Sequence, residues 1–211
     1  MDDRSYRDGF LRHNAVFSEC MVIAPLVVCC DTLSKSLMLS LAFVMITVLT
    51  VTLGSFYPKK LPYAFRIIFY ALTASALYIP AALLCEYISP STYAALTNMV
   101  LPGQGTVSGA AFLYLPLLSV NSFIVLHSEL HFYHYRRSRM LGVLLAHAAG
   151  FTLAACMIGV IREILAYGTI FGYAVDMPLV MSGIGAPWAG FILIGLLAAA
   201  HRHIFRKKQE D

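Results

Sequence analysis

Few residues in this 211-residue chain carry chemistry beyond packing. Cys20, Cys29, Cys30, Cys85 and Cys156 all lie in or beside apolar runs. Metal centres built on thiolates need several brought together at short spacing, and no C-x-x-C pair occurs, so these read as buried thiols. Glu19 interrupts an apolar stretch, where a carboxylate is costly enough to point to a translocated cation or a proton. It also lies five residues past Asn14, near enough to an interface to be an ordinary solvated carboxylate. Arg162-Glu163 ends another uncharged run and by itself reads as a surface ion pair at a helix end, which is worth little energetically. His127, His131 and His134 share one helical face beside Glu129, a spacing open to a transition metal. The run into Arg136, Arg137 and Arg139 favours lipid headgroups instead. His147, alone among apolar residues, reads as a buried hydrogen-bonding histidine. No catalytic residue is assigned, because no nucleophile–base pair or nucleotide fingerprint is present. Gly103-Gln104-Gly105 lacks the strand, helix and lysine of a phosphate loop.

The elements that must position these residues are membrane helices. The chain is 59% hydrophobic and 12% charged, about half the roughly 25% charge of soluble domains. Residues 36–58, 67–85, 140–161 and 177–200 carry no Asp, Glu, Lys or Arg, and about 20 apolar residues cross a bilayer. Two weaker segments complete six spans. Val16–Cys30 holds Glu19 and Pro25, and Ala110–Leu126 holds Pro116 and Asn121. Asp2, Asp3, Arg4, Arg7 and Asp8 in the first 13 residues do not read as a signal peptide.

Six spans place Arg4, Arg7, Arg12, Lys59, Lys60, Arg66, Arg136, Arg137, Arg139, Arg202, Arg206, Lys207 and Lys208 on one side, and Lys35 and Arg162 on the other. Cytoplasmic loops attract Lys and Arg, so both termini are expected in the cytoplasm and the chain in the inner (plasma) membrane. The net charge of +4 follows from this bias and needs no nucleic-acid partner.

The expected fold is all-α integral membrane, with six transmembrane helices as two inverted three-helix repeats and segments one and four short or broken. A cytoplasmic tail covers 1–13, the halves about 14–86 and 110–200, an outer loop 87–109, and a basic cytoplasmic tail 201–211. A short interfacial helix is expected around Thr92–Met99. Interrupted segments at matching positions in two halves point to a site at the membrane midplane. The other reading is of ordinary proline-kinked helices.

Four stretches resemble the paired membrane subunits of the Rnf electron-transport complex and the sodium-translocating NADH:quinone reductase. They are Asn14 to Pro25, Leu37–Leu53, Pro116-Leu117-Leu118-Ser119-Val120-Asn121-Ser122, and Arg162-Glu163-Ile164-Leu165 with Gly168-Thr169-Ile170-Phe171-Gly172. The last is the most specific, since it mixes charges, glycines and an aromatic at fixed spacing. The nearer likeness is to the E-type member of the Rnf pair and the D-type member of the quinone-reductase pair. The resemblance implies six spans in an inverted repeat and a sister membrane subunit of opposite orientation. It also implies electron transfer, from reduced ferredoxin or NADH, coupled to sodium or proton movement.

In that family a cysteine before the first proline and another after the segment-four asparagine hold a shared 2Fe-2S cluster with two cysteines of the sister subunit. Those positions here are Ala24 and Ser122. Alanine cannot ligate iron, and serine is a poor substitute for a thiolate. Cys20 and Cys29 flank Ala24 and are replacements only if the segment is distorted. No cofactor or metal residue is therefore assigned, and Glu19, Arg162 and Glu163 are the candidates for an ion path. The sequence also carries an insertion around Asn98–Ala110 relative to the family. Two further readings stand beside the complex subunit: a non-redox permease for ions or small molecules, and a scaffold subunit of a membrane complex.

Overall fold

The computed structural model describes residues 16–17, 21–58, 62–97, 115–121, 123–125, 128, 137–175 and 180–210. Glu19, Cys20, Ser122, His127, Glu129, His131 and His134 lie outside the described residues, as does the tail 1–13.

The long uncharged runs form long helices. They are α2 (Leu33–Gly54), α3 (Tyr63–Ile88) and α5 (Arg137–Tyr167). All three are long and apolar enough to cross a membrane. α2 packs against both α5 and α3. Its buried face runs Leu39, Phe43, Ile46, Thr50, the four–three spacing of one helical stripe. Phe43 stacks on Phe151 of α5 with ring centroids 3.9 Å apart and meets Phe123 at 5.9 Å. The stripe on α5 is Leu144, Ala148, Phe151, Ala155, Ile158 and then Arg162, all buried. α3 contributes less: only 22% of its apolar window is buried within the chain. Phe65, Ile68, Leu72, Ile79 and Leu83 face outward, a surface suited to an apolar surrounding. Pro80 lies inside this helix.

Short elements carry the rest. α1 (Ile23–Cys29) has 7 residues, about 10 Å of rise and far less than a bilayer. Pro25 does not cut a longer helix. It sits in the first turn of α1, where its missing N–H has no intrahelical partner to lose. Pro116 likewise opens the 3-10 turn Pro116–Val120. Beyond it Asn121 Oδ1 accepts the Phe123 amide at 2.8 Å, so a side chain replaces the helical bond where segment four turns. Among the described residues, segment one thus holds a short helix with Pro25 in its first turn, and segment four a 3-10 turn that starts at Pro116. α4 (Pro90–Thr97) occupies the expected interfacial stretch, starting earlier because proline tolerates a first helical position.

Three expectations are corrected. The uncharged run 177–200 is not one helix. Residues Ser182–Gly185 form a 3-10 turn and α6 (Pro187–Glu210) starts only at its proline, because two glycines and Pro187 favour a break there. The fold is helical but not wholly so. β1 (Thr169–Ile170) and β2 (Tyr173–Ala174) form a two-stranded antiparallel ribbon. Its two-residue loop, Phe171-Gly172, has φ of 54° and 82°, the type I′ turn that suits strand twist. Third, α5 does not end at the charge pair. It runs on to Tyr167, where Gly168 stops it at φ 63°.

Candidate functional site

Arg162 and Glu163 form the centre of the described polar structure. Arg162 is fully buried and Glu163 is 3% exposed, so neither belongs to a surface ion pair. They do not bond each other. The Arg162 guanidinium donates from Nη1 to the carbonyls of Val27 (2.6 Å) and Cys30 (2.9 Å). Nη2 donates to Gly185 (2.7 Å) and Ala186 (3.3 Å), and Nε to Ile184 (3.3 Å). A guanidinium has five N–H donors, and every one is used. The acceptors are the C-terminal ends of two short helices, where carbonyls lack intrahelical partners and the dipole favours a cation. Arg162 therefore completes α1 and the 182–185 turn at once.

Glu163 does the converse at amide ends. Its Oε2 accepts the Leu33 amide at 2.7 Å, the first N–H of α2. Its Oε1 accepts the Gly172 amide at 3.1 Å and the Thr169 hydroxyl at 3.2 Å. A carboxylate at a helix N-terminus meets both orphan donors and the positive dipole end. Two neighbouring residues of α5 thus fix α1, α2, the ribbon and the entry to α6.

Small residues let these elements close. A methyl at Gly190 of α6 would come within 3.1 Å of Val27 Cγ1 and 3.4 Å of Arg162 Nη1. One at Gly185 would come within 3.1 Å of the Tyr167 hydroxyl, and one at Gly159 would collide with Ser36 where α5 crosses α2. Ser36 itself donates to the Thr32 carbonyl at 2.8 Å.

Asp31, in the link between α1 and α2, belongs to the same polar group and is not among the residues expected from sequence. It is 8% exposed, and Oδ2 accepts from Lys35 Nζ at 2.7 Å. Its signal was the i, i+4 acid–base spacing at a helix start. Val27, Cys30 and the 184–186 carbonyls act through backbone and have no side-chain signal. That of Arg162 was its place four residues after Ile158 on the apolar stripe.

Among the described residues, the surroundings of Ala24 do not supply an iron–sulfur ligand. Ala24 is half-buried in α1, and its neighbours one turn on are Val27 and Val28. Cys29 is on the same regular helix, about 140° around it from Ala24, so it does not replace a thiolate at that position. Cys29, Cys30 and Cys85 are buried free thiols. Among the described residues no group of three or more His, Cys, Asp or Glu is placed to hold a metal ion. His147 is buried, with Nδ1 3.0 Å from the Val143 carbonyl and its ring against Phe123.

Long apolar helices, short helices opened by proline, and buried charges satisfied by backbone define an integral membrane protein. The chain belongs to the Rnf-Nqr subunit family of membrane proteins, whose model matches residues 4–102 and 105–201. The match leaves out residues 103 and 104 and takes in the rest of the stretch read above as an insertion. The chain is similar to the E-type subunit of the ion-translocating oxidoreductase complex of Haemophilus ducreyi, 21% identical over 164 residues, 78% of this chain and 66% of that protein. The protein of the same name from Glaesserella parasuis serovar 5 is 23% identical over 218 residues, covering 96% and 89%.

Proposed function

We propose that this chain is a membrane subunit of an Rnf/Nqr-type ion-translocating electron-transport complex, in the position of the E-type member. The observation that carries the reading is the family match along nearly the whole chain, 4–102 and 105–201. The two relatives named for that position support it. On this reading the chain makes six spans in two inverted halves. The short α1 and the Pro116–Val120 turn are their matching interrupted segments. Both termini face the cytoplasm, by the positive charges, and the Arg162–Glu163 staple faces outward. A sister membrane subunit of opposite orientation pairs with it, and the outward apolar face of α3 is available to that subunit or to lipid.

The chain's own contribution is architectural. The family's cluster position holds Ala24, so electron transfer rests on cofactors of partner subunits, and sodium or proton movement is coupled to it. Glu19 is the candidate carboxylate for the ion path. Arg162 and Glu163 bound the path by fixing its short helices, with their own polar atoms taken by backbone and Thr169.

Affinity capture of the full chain from its native membrane, with identification of co-purifying proteins, tests the reading. A second Rnf-Nqr family membrane subunit and a flavin-bearing partner are expected. Ala24 also favours a second reading, a non-redox permease; it predicts capture of the chain without either.

A further inference from the structure

We propose that Asp31 and Lys35 form a cation-exchange site, in which the Lys35 ammonium fills the place of a small monovalent cation and yields to one. The inference rests on the reading above for the direction the site faces, since that reading puts it at the outer mouth of segment one.

Asp31 is 8% exposed, and its two oxygens are treated differently. Oδ2 holds Lys35 Nζ at 2.7 Å, whereas Oδ1 is buried and has no hydrogen-bond partner. A buried carboxylate oxygen left unpaired costs free energy and calls for an ion or water. Arg162 lies within electrostatic reach of Asp31, but all five of its N–H groups go to carbonyls. It lends charge to the site and no bond. The Tyr167 hydroxyl interacts with this carboxylate as a neutral hydrogen-bonding group.

Lys35 is disfavoured by its place along the helix. It is the third residue of α2, where the helix dipole disfavours a cation and favours the Asp31 carboxylate. Its side chain is 19% exposed, so its four-carbon stem has a way out. The charges gathered here are Asp31, Glu163, Lys35 and Arg162, which sum to zero. Adding a cation while the ammonium stayed would leave the buried site net positive. Exchange keeps it neutral: one monovalent cation enters on the Asp31 oxygens as the Lys35 ammonium leaves to water. Carboxylate oxygens are hard donors, which selects an alkali cation over a soft metal.

The test uses the purified full chain in lipid nanodiscs, titrated with sodium chloride against choline chloride at equal ionic strength. Thermal unfolding is read at each concentration. Lys35→Met removes the tethered ammonium and keeps most of the stem. The variant is expected to show saturable, sodium-specific stabilisation with an apparent affinity about tenfold or more tighter than the unsubstituted chain. Asp31→Asn in the Lys35→Met background abolishes it. Equal responses of Lys35→Met to sodium and choline overturn the proposal, as does a sodium response that survives Asp31→Asn. If Lys35→Met does not fold, Lys35→Gln is read in the same way. Partner capture is scored separately, so a chain with no partners but a sodium response refutes the complex and not the site.

Discussion

The Nη1 atom of Arg162 lies 2.6 Å from the carbonyl oxygen of Val27, across 135 residues of sequence. That bond closes a seven-residue helix too short to be stable alone. Replacing Arg162 with Met takes the guanidinium from five carbonyls, of which that of Ala186 keeps the Ala189 amide. Loss of roughly 3–5 kcal/mol of stability is expected, as for breaking a buried charged network. Arg162→Lys recovers little, because an ammonium has three donors and lacks the planar fork that reaches two helix ends. Denaturation of both variants in detergent or nanodiscs, compared with the unsubstituted chain, checks the ranking.

Glu163→Gln keeps one acceptor oxygen and turns the other into a donor facing the Leu33 amide or the ribbon. A cost of about 1–3 kcal/mol is expected. Hydrogen exchange resolves it further: protection falls together at Leu33 and Gly172, which are far apart in sequence but share this carboxylate. Loss at only one of the two would refute the shared cap.

Phe171 holds φ at 54° in the type I′ turn, where a residue with a Cβ is strained by roughly 1–2 kcal/mol. Its side chain is 53% exposed, so little burial is forfeited by changing it. Phe171→Asn creates the favoured Asn-Gly turn and is expected to stabilise the chain by about 1 kcal/mol. Thermal unfolding reads this as a raised midpoint; a lowered one would mean that the phenyl ring has a packing role.

Gly159 lies where α5 crosses α2, and a methyl there collides with the Ser36 side chain and comes within 3.0 Å of the Thr32 carbonyl. Gly159→Ala is expected to cost about 1–3 kcal/mol by overpacking, and Gly159→Val more. The same unfolding series checks both. Gly195 lies inside α6 and has nothing within 4 Å of the added methyl, so Gly195→Ala serves as the contrast and is expected to hold or raise the midpoint, Ala being the better helix former.

The legible parts of this fold were those written in composition. Uncharged runs about as long as a bilayer crossing marked α2, α3 and α5, because exclusion of charge is a constraint on every residue of a span. Helix ends were less legible, since α5 continues past Arg162 only because backbone carbonyls of distant segments take up its charge. The residues 177–200 looked like a span because hydropathy does not register Gly183, Gly185 and Pro187 as breaks. Pro25 and Pro116 were visible, but a proline reads alike whether it interrupts a helix or starts one. Of the site, Arg162 and Glu163 stood out as charges in an apolar setting, while Asp31 did not, because it falls just past the end of segment one, beside Thr32, Ser34 and Lys35, where a loop charge is ordinary.

The central claim is that this chain is built into an Rnf/Nqr-type complex while lacking the family's cluster ligand at Ala24. Its most direct measurement is capture of the full chain from native membranes, with partners identified and iron at the subunit pair quantified. The account predicts a co-purifying Rnf-Nqr family membrane subunit and no 2Fe-2S signal assignable to their shared interface. Capture of the chain without any such partner, or a stoichiometric 2Fe-2S cluster at that interface, would contradict it.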